Sequence, residues 1–181
     1  DSTIYYFKEP VYNARVSGIP QTTITLRSQR VALLNWTPKT GIIMEKLCSY
    51  LPAGSELCTY VPEINEEMES FKENLLSIYP ELNISLNQMD FNDLNKLNEI
   101  DPQSFDSLLI LSPGGATIEE MDAFVISLLI RLRQILRNSG LSQWPKLITE
   151  VMDSENIDII LNSGVEDFMV SNQFVSQIMA Q

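Results

Sequence analysis

The chain contains no histidine among its 181 residues, and that absence removes whole classes of chemistry. Without an imidazole there is no Ser-His-Asp or Cys-His arrangement, and the usual side chain for proton transfer near neutral pH is missing. Cysteine is scarce too. Cys48 and Cys58 are the only two, and neither has a ligand partner at metal-binding spacing. They make no disulfide framework, so a reducing compartment is the simpler expectation. Sequons at Asn35 and Asn83 each lie beside an expected strand rather than in an open loop. Zinc and iron are disfavoured, because carboxylates alone suit hard cations such as calcium or magnesium. Positive charge is in short supply, with 12 Lys and Arg against 24 Asp and Glu and a net charge of −12. Nucleic acid and anionic membrane surfaces are poor partners for such a chain. No apolar run approaches the roughly 20 residues of a spanning helix, and the first ten residues lack the pattern of a secretory leader.

What is present is enough hydrophobic residue, 44%, for one compact domain with a sizeable core. The chain starts at Asp1 without Met and stops inside an expected helix, so a piece of a longer protein is expected. The stretch from Arg30 to Glu63 reads as strand, tight turn, helix, strand: one apolar run stops at Thr37-Pro38 and another begins after Gly54. That is a βαβ unit, and it predicts an α/β fold, a Rossmann-like doubly wound parallel sheet with flanking helices. The turn after the first strand carries Asn35, Trp36, Thr37 and Pro38, where a dinucleotide-binding protein would carry glycines.

The alternation continues. A helix is expected over Asn65 to Tyr79 with Met68, Phe71, Leu75 and Ile78 on one face, then a strand over Asn83 to Met89. A brief helix from Asp93 to Ile100 and a buried strand from Ser107 to Leu111 follow, before Pro113-Gly114-Gly115 breaks the chain. Thr117 and Glu120 form a capping box that opens a long helix reaching Gly140. Its apolar stripe is Met121, Val125, Leu128, Leu132, Ile135 and Leu136, with Arg131, Arg133 and Arg137 on the other face. Strands are expected at Lys146 to Met152 and Asp167 to Val170, and a last helix at Asn172 to Ala180. Residues 1–29, alternating in part between Ile4 and Arg27, suggest a β connector to an upstream segment, with the domain proper spanning 30–181.

In such a sheet the ligand crevice lies at the carboxyl ends of the strands. Trp36, Thr37 and Lys39 line the first turn, where Thr37 can cap, Pro38 suits the first helical position and Lys39 supplies charge for a small anion or a nucleotide. The alternative is an ordinary capped helix, with Trp36 packed on the neighbouring turn. Glu63, Asp90, Glu150 and Asp153 fall near the ends of successive strands. Asp90, Glu150 and Asp153 are candidate ligands for a divalent cation, although strand-end acids also serve as helix caps. The run from Asp90 to Asp101 only faintly follows a calcium loop, since Leu94 stands where an oxygen ligand belongs and Asn95 where the glycine belongs. The second helix start, with Glu119, Glu120 and Asp122, would repel a phosphate.

Four segments resemble, in the same order, segments of the Castor/Pollux group of ion channels: PAGSELCTYVPE, QSFDSLLILS, SLLIRLRQI and ITEVMDSENIDIILNSGVEDFMVSNQFVSQIMA. They are similar to its RCK domain, the regulator of potassium conductance, from about Arg30 to Gln181. The resemblance implies a non-catalytic cytosolic module at a membrane face, assembled as a homo-oligomeric gating ring beneath the pore domain of the same protein. It implies an output that is mechanical, with an ion such as calcium, or a nucleotide, shifting how the units pack. Plant members have a glycine-led turn with paired arginines where this chain has Asn35 to Lys39. Two further readings stand beside it: an assembly scaffold that binds no ligand, and a nucleotide-dependent oxidoreductase, which would need the glycine turn and a proton donor that the sequence does not show.

Overall fold

The computed structural model describes residues 27–114, 117–140, 142–151 and 169–170. The elements run β1 (Arg30–Leu34), α1 (Thr40–Tyr50), β2 (Glu56–Val61), α2 (Glu66–Ile78), β3 (Asn83–Gln88) and α3 (Leu94–Glu99), then β4 (Ser107–Ile110), α4 (Ile118–Asn138), β5 (Lys146–Val151) and β6 (Met169–Val170). The strands form one parallel sheet in the order β3-β2-β1-β4-β5-β6, five full strands and a two-residue sixth at the edge. This is the Rossmann-like, doubly wound α/β arrangement that the opening βαβ unit implied. The direction of winding reverses between β1 and β4, which pair directly, Leu33 opposite Leu109 and Leu34 opposite Ile110.

β1 is central because it is apolar on both faces. Val31 and Leu33 point into one core layer with Ile43 and Met44 of α1 and Leu75 of α2, while Ala32 and Leu34 point into the other with Leu97 of α3 and Val125, Leu129 and Leu132 of α4. The period of two along the strand thus feeds two helical layers at once. α4 opens with the expected capping box, Thr117 accepting from the Glu120 N–H and the Glu120 carboxylate accepting from the Thr117 N–H. Just past its end Gly140 adopts φ 69°, the left-handed conformation that lets a chain leave a helix.

Three details differ from the sequence pattern. Ile78 is 56% exposed; the stripe of α2 that packs on the core runs through Phe71, Leu75, Leu76 and Tyr79, and Ile78 lies beside it on the solvent side. Arg133 lies on the buried side of α4, not with exposed Arg137, and burial together with the neighbouring Arg137 charge lowers its pKa. α1 begins at Thr40 rather than at Pro38, for the reason given below. The β connector of residues 1–26 and the last helix, Asn172 to Ala180, lie outside the described residues.

Candidate functional site

The site is built where β1 and β4 diverge. Asn35 ends β1 at φ 86°, a left-handed conformation that Asn tolerates better than most side chains. Its N–H donates to the Tyr60 carbonyl of β2 at 2.8 Å, and its Nδ2 donates to the Leu111 carbonyl beyond β4 at 3.4 Å. Its Oδ1 accepts from the Trp36 N–H at 2.8 Å. One asparagine therefore bridges both neighbours of β1 and turns the chain upward, a duty that glycine performs in a dinucleotide-binding turn without any side chain.

The following residues close on themselves. The Thr37 N–H donates to Thr40 Oγ1 at 2.7 Å, the Lys39 N–H donates to Thr37 Oγ1 at 3.2 Å, and the Thr40 N–H donates to the Thr37 carbonyl at 2.9 Å. Thr37 and Thr40 are both buried, so this extra turn consumes N–H groups that a cradle would aim at a phosphate. It also delays α1, which has Lys39 as its flanking residue and no side-chain cap. Trp36 packs edge-on against Phe71 of α2, with ring centroids 6.1 Å apart at 85°. The indole covers the α1–α2 layer, packing on a helix side chain and not on the neighbouring turn.

Lys39 reaches across the crevice. Its Nζ lies 2.9 Å from Glu150 Oε1 on β5, an ion pair joining residues 111 positions apart. The Glu150 side chain is 3% exposed and that of Lys39 is 39% exposed. Glu150 Oε2 accepts from the Ser112 hydroxyl at 3.2 Å and more weakly from the Ser112 N–H at 3.4 Å. The register explains the meeting: Ile110 pairs with Thr149, so Glu150 falls level with the first residues past β4. A buried carboxylate is tolerated here because a cation and two donors converge on it.

The structure thus joins Lys39 to Glu150 and ties Thr37 to the Lys39 backbone, while Trp36 turns to the α1–α2 layer. It does not bring the acids together. Asp90 lies just past β3, and four strand spacings of about 4.8 Å, roughly 19 Å, separate β3 from β5. Asp90 and Glu150 therefore do not share a cation, contrary to the expectation of convergence. Asp90 is exposed and its carboxylate accepts from the Asn92 N–H, while Asp93 accepts from the Asn95 N–H at the start of α3. The residues from Asp90 onward spend their oxygens on a turn and a cap. Glu63 is exposed just past β2, and Asp153 lies outside the described residues. Among the described residues no group of three or more His, Cys, Asp or Glu side chains is placed to hold a metal ion.

Ser112 is the participant that sequence reasoning missed. Its signal was its place, the first polar residue beyond an apolar strand and just before Pro113-Gly114. Two other titratable groups nearby are held in their neutral forms. Burial pushes the Tyr60 phenol up to about 12 and raises Cys58. Both cysteines are free and buried, Cys48 among the α1–α2 layer and Cys58 on the opposite face of the sheet.

Comparison with solved structures gives the same architecture. The human SLO3 gating ring superimposes with a TM-score of 0.55 at 10% identity, over 78% of this chain and 24% of that one. The GsuK RCK domain gives 0.52 at 12% identity over 83% and 27%, and GsuK bound to ADP gives 0.52 at 11% over 80% and 31%. No family model and no curated protein matches the chain in sequence. The chain spans about a quarter to a third of the length of these structures, and its fold is RCK-like.

Proposed function

We propose that this chain is a regulatory, gating-ring domain of a Castor/Pollux-like cation channel. In this reading copies of the domain assemble into a homo-oligomer on the cytosolic face of a membrane, joined to a pore domain elsewhere in the same protein. Binding of an ion or a nucleotide biases how the units pack, and the packing is transmitted to the pore; such coupling requires different ligand affinity in the two packings. The observation that carries the reading is the similarity of the fold to a gating ring and to an RCK domain, together with the channel-like segments at 52–63, 103–112, 127–135 and 148–180. Among the described residues no helix is long and apolar enough to cross a membrane, as suits a unit that pulls on a pore built from other segments. The reading is non-catalytic: the chain has no histidine, and the turn after β1 has no glycine.

One observation favours the scaffold alternative, in which the domain assembles without a ligand at this crevice. Lys39, Ser112 and the Thr37–Thr40 turn are already engaged within the chain. Light scattering of the purified chain with calcium, ADP or neither tests both readings. A change of assembly state with either ligand supports sensing, and a stable ring indifferent to both supports the scaffold. A monomer under all conditions would overturn the gating-ring reading.

A further inference from the structure

The crevice between β1 and β4 holds an anion of the chain's own. Three donors of different kinds converge on Glu150: the Lys39 ammonium, the Ser112 hydroxyl and the Ser112 N–H. A carboxylate oxygen and a phosphate oxygen are interchangeable acceptors for such a set. The donors stand beyond the carboxyl ends of β1 and β4, the place where doubly wound sheets receive ligands. We propose that Glu150 is a built-in occupant of this seat, an autoinhibitory contact that bars phosphate-bearing ligands unless they displace its carboxylate from Lys39 and Ser112.

The geometry makes the contact self-consistent. Glu150 is almost fully buried, and its strand is fixed by pairing with β4, so the carboxylate is delivered by the sheet and not by a mobile loop. Lys39 is the movable partner, on a flexible stem and 39% exposed. The inference rests on the crevice alone and stands independently of the channel reading.

Calorimetry of the full chain with inorganic pyrophosphate tests it. The wild type is expected to show no saturable binding, whereas E150Q, which keeps an acceptor for Ser112 but removes the charge, is expected to bind at least tenfold more tightly. K39M/E150Q should lose that gain. E73Q, which removes an exposed charge on α2, should show none, and so controls for net charge. E150A gives the same test if the amide packs badly. Equal binding by wild type and E150Q would overturn the proposal, as would no gain in either folded Glu150 variant. A gain that persists in K39M/E150Q, or that E73Q shares, would overturn it equally.

Discussion

Removing either partner of the Lys39–Glu150 pair should have unequal consequences, because the partners are unequally buried. In K39M the carboxylate stays in the crevice at 3% exposure, keeping Ser112 but losing the cation. Breaking a fully buried pair costs about 3–5 kcal/mol and an exposed pair at most about 1. With one end buried and the other 39% exposed, K39M is expected to cost about 2–3 kcal/mol. E150Q leaves an ammonium that is already 39% exposed, and an amide that still accepts from Ser112; its cost is expected below about 1 kcal/mol. Urea unfolding of both variants and of K39M/E150Q gives the three differences, read from midpoints at unchanged slope. The double variant should be more stable than K39M, since it removes the stranded charge. If E150Q costs as much as K39M or more, the carboxylate is not the shielded partner and the account of the crevice fails.

Other perturbations read other layers. Leu132→Ala in α4 removes a fully buried side chain and should cost about 2–5 kcal/mol in urea, whereas Ile130→Ala, 52% exposed on the same helix, should stay within about 0.5. Thr117→Ala removes the side-chain half of the capping box, leaving the backbone N–H of that position to donate to Glu120, and should lower stability by about 1 kcal/mol, seen as a shifted melting midpoint. Burial pushes the Cys48 thiol up to about 11 from an ordinary value near 9, so the folded chain holds that proton more tightly than the unfolded one. The resulting stabilisation is complete below about pH 9 and declines as pH rises toward 11. A thiol reagent at pH 8 should label Cys48 only as fast as the chain opens, and prompt labelling would contradict the burial.

The fold was legible because its signals are local and periodic. β1, β2 and β4 announce themselves as short apolar runs, α4 by its Thr117–Glu120 box and 3.6-residue stripe, and the alternation of the two fixes a parallel sheet. Ile78 misled because the packed stripe is centred on the side of Leu75 that carries Leu76 and Tyr79, and Ile78 lies on the other side of it. Arg133 misled because a long charged side chain on a half-covered helix can lie along the protein with its stem buried. The site was half legible: Trp36, Thr37 and Lys39 follow from one turn, but the partnership of Lys39 with Glu150 depends on strand order and register across 111 residues. No local pattern carries that information. Asp90 and Glu150 looked alike as strand-end acids until the order β3-β2-β1-β4-β5 placed them far apart.

The central position of β1 also governs how the chain comes into being. Arg30–Leu34 is made before either of its partners, and β2 can pair with one of its edges within some twenty residues. Its other edge waits for Ser107–Ile110, more than seventy residues later. Until then a bare apolar strand, Val31 to Leu34, presents unpaired backbone groups to any neighbouring copy. Synthesis at about 5–20 residues per second leaves that edge open for several seconds. A fragment ending before Ser107 should therefore associate through β1, and a chain that reaches β4 should not.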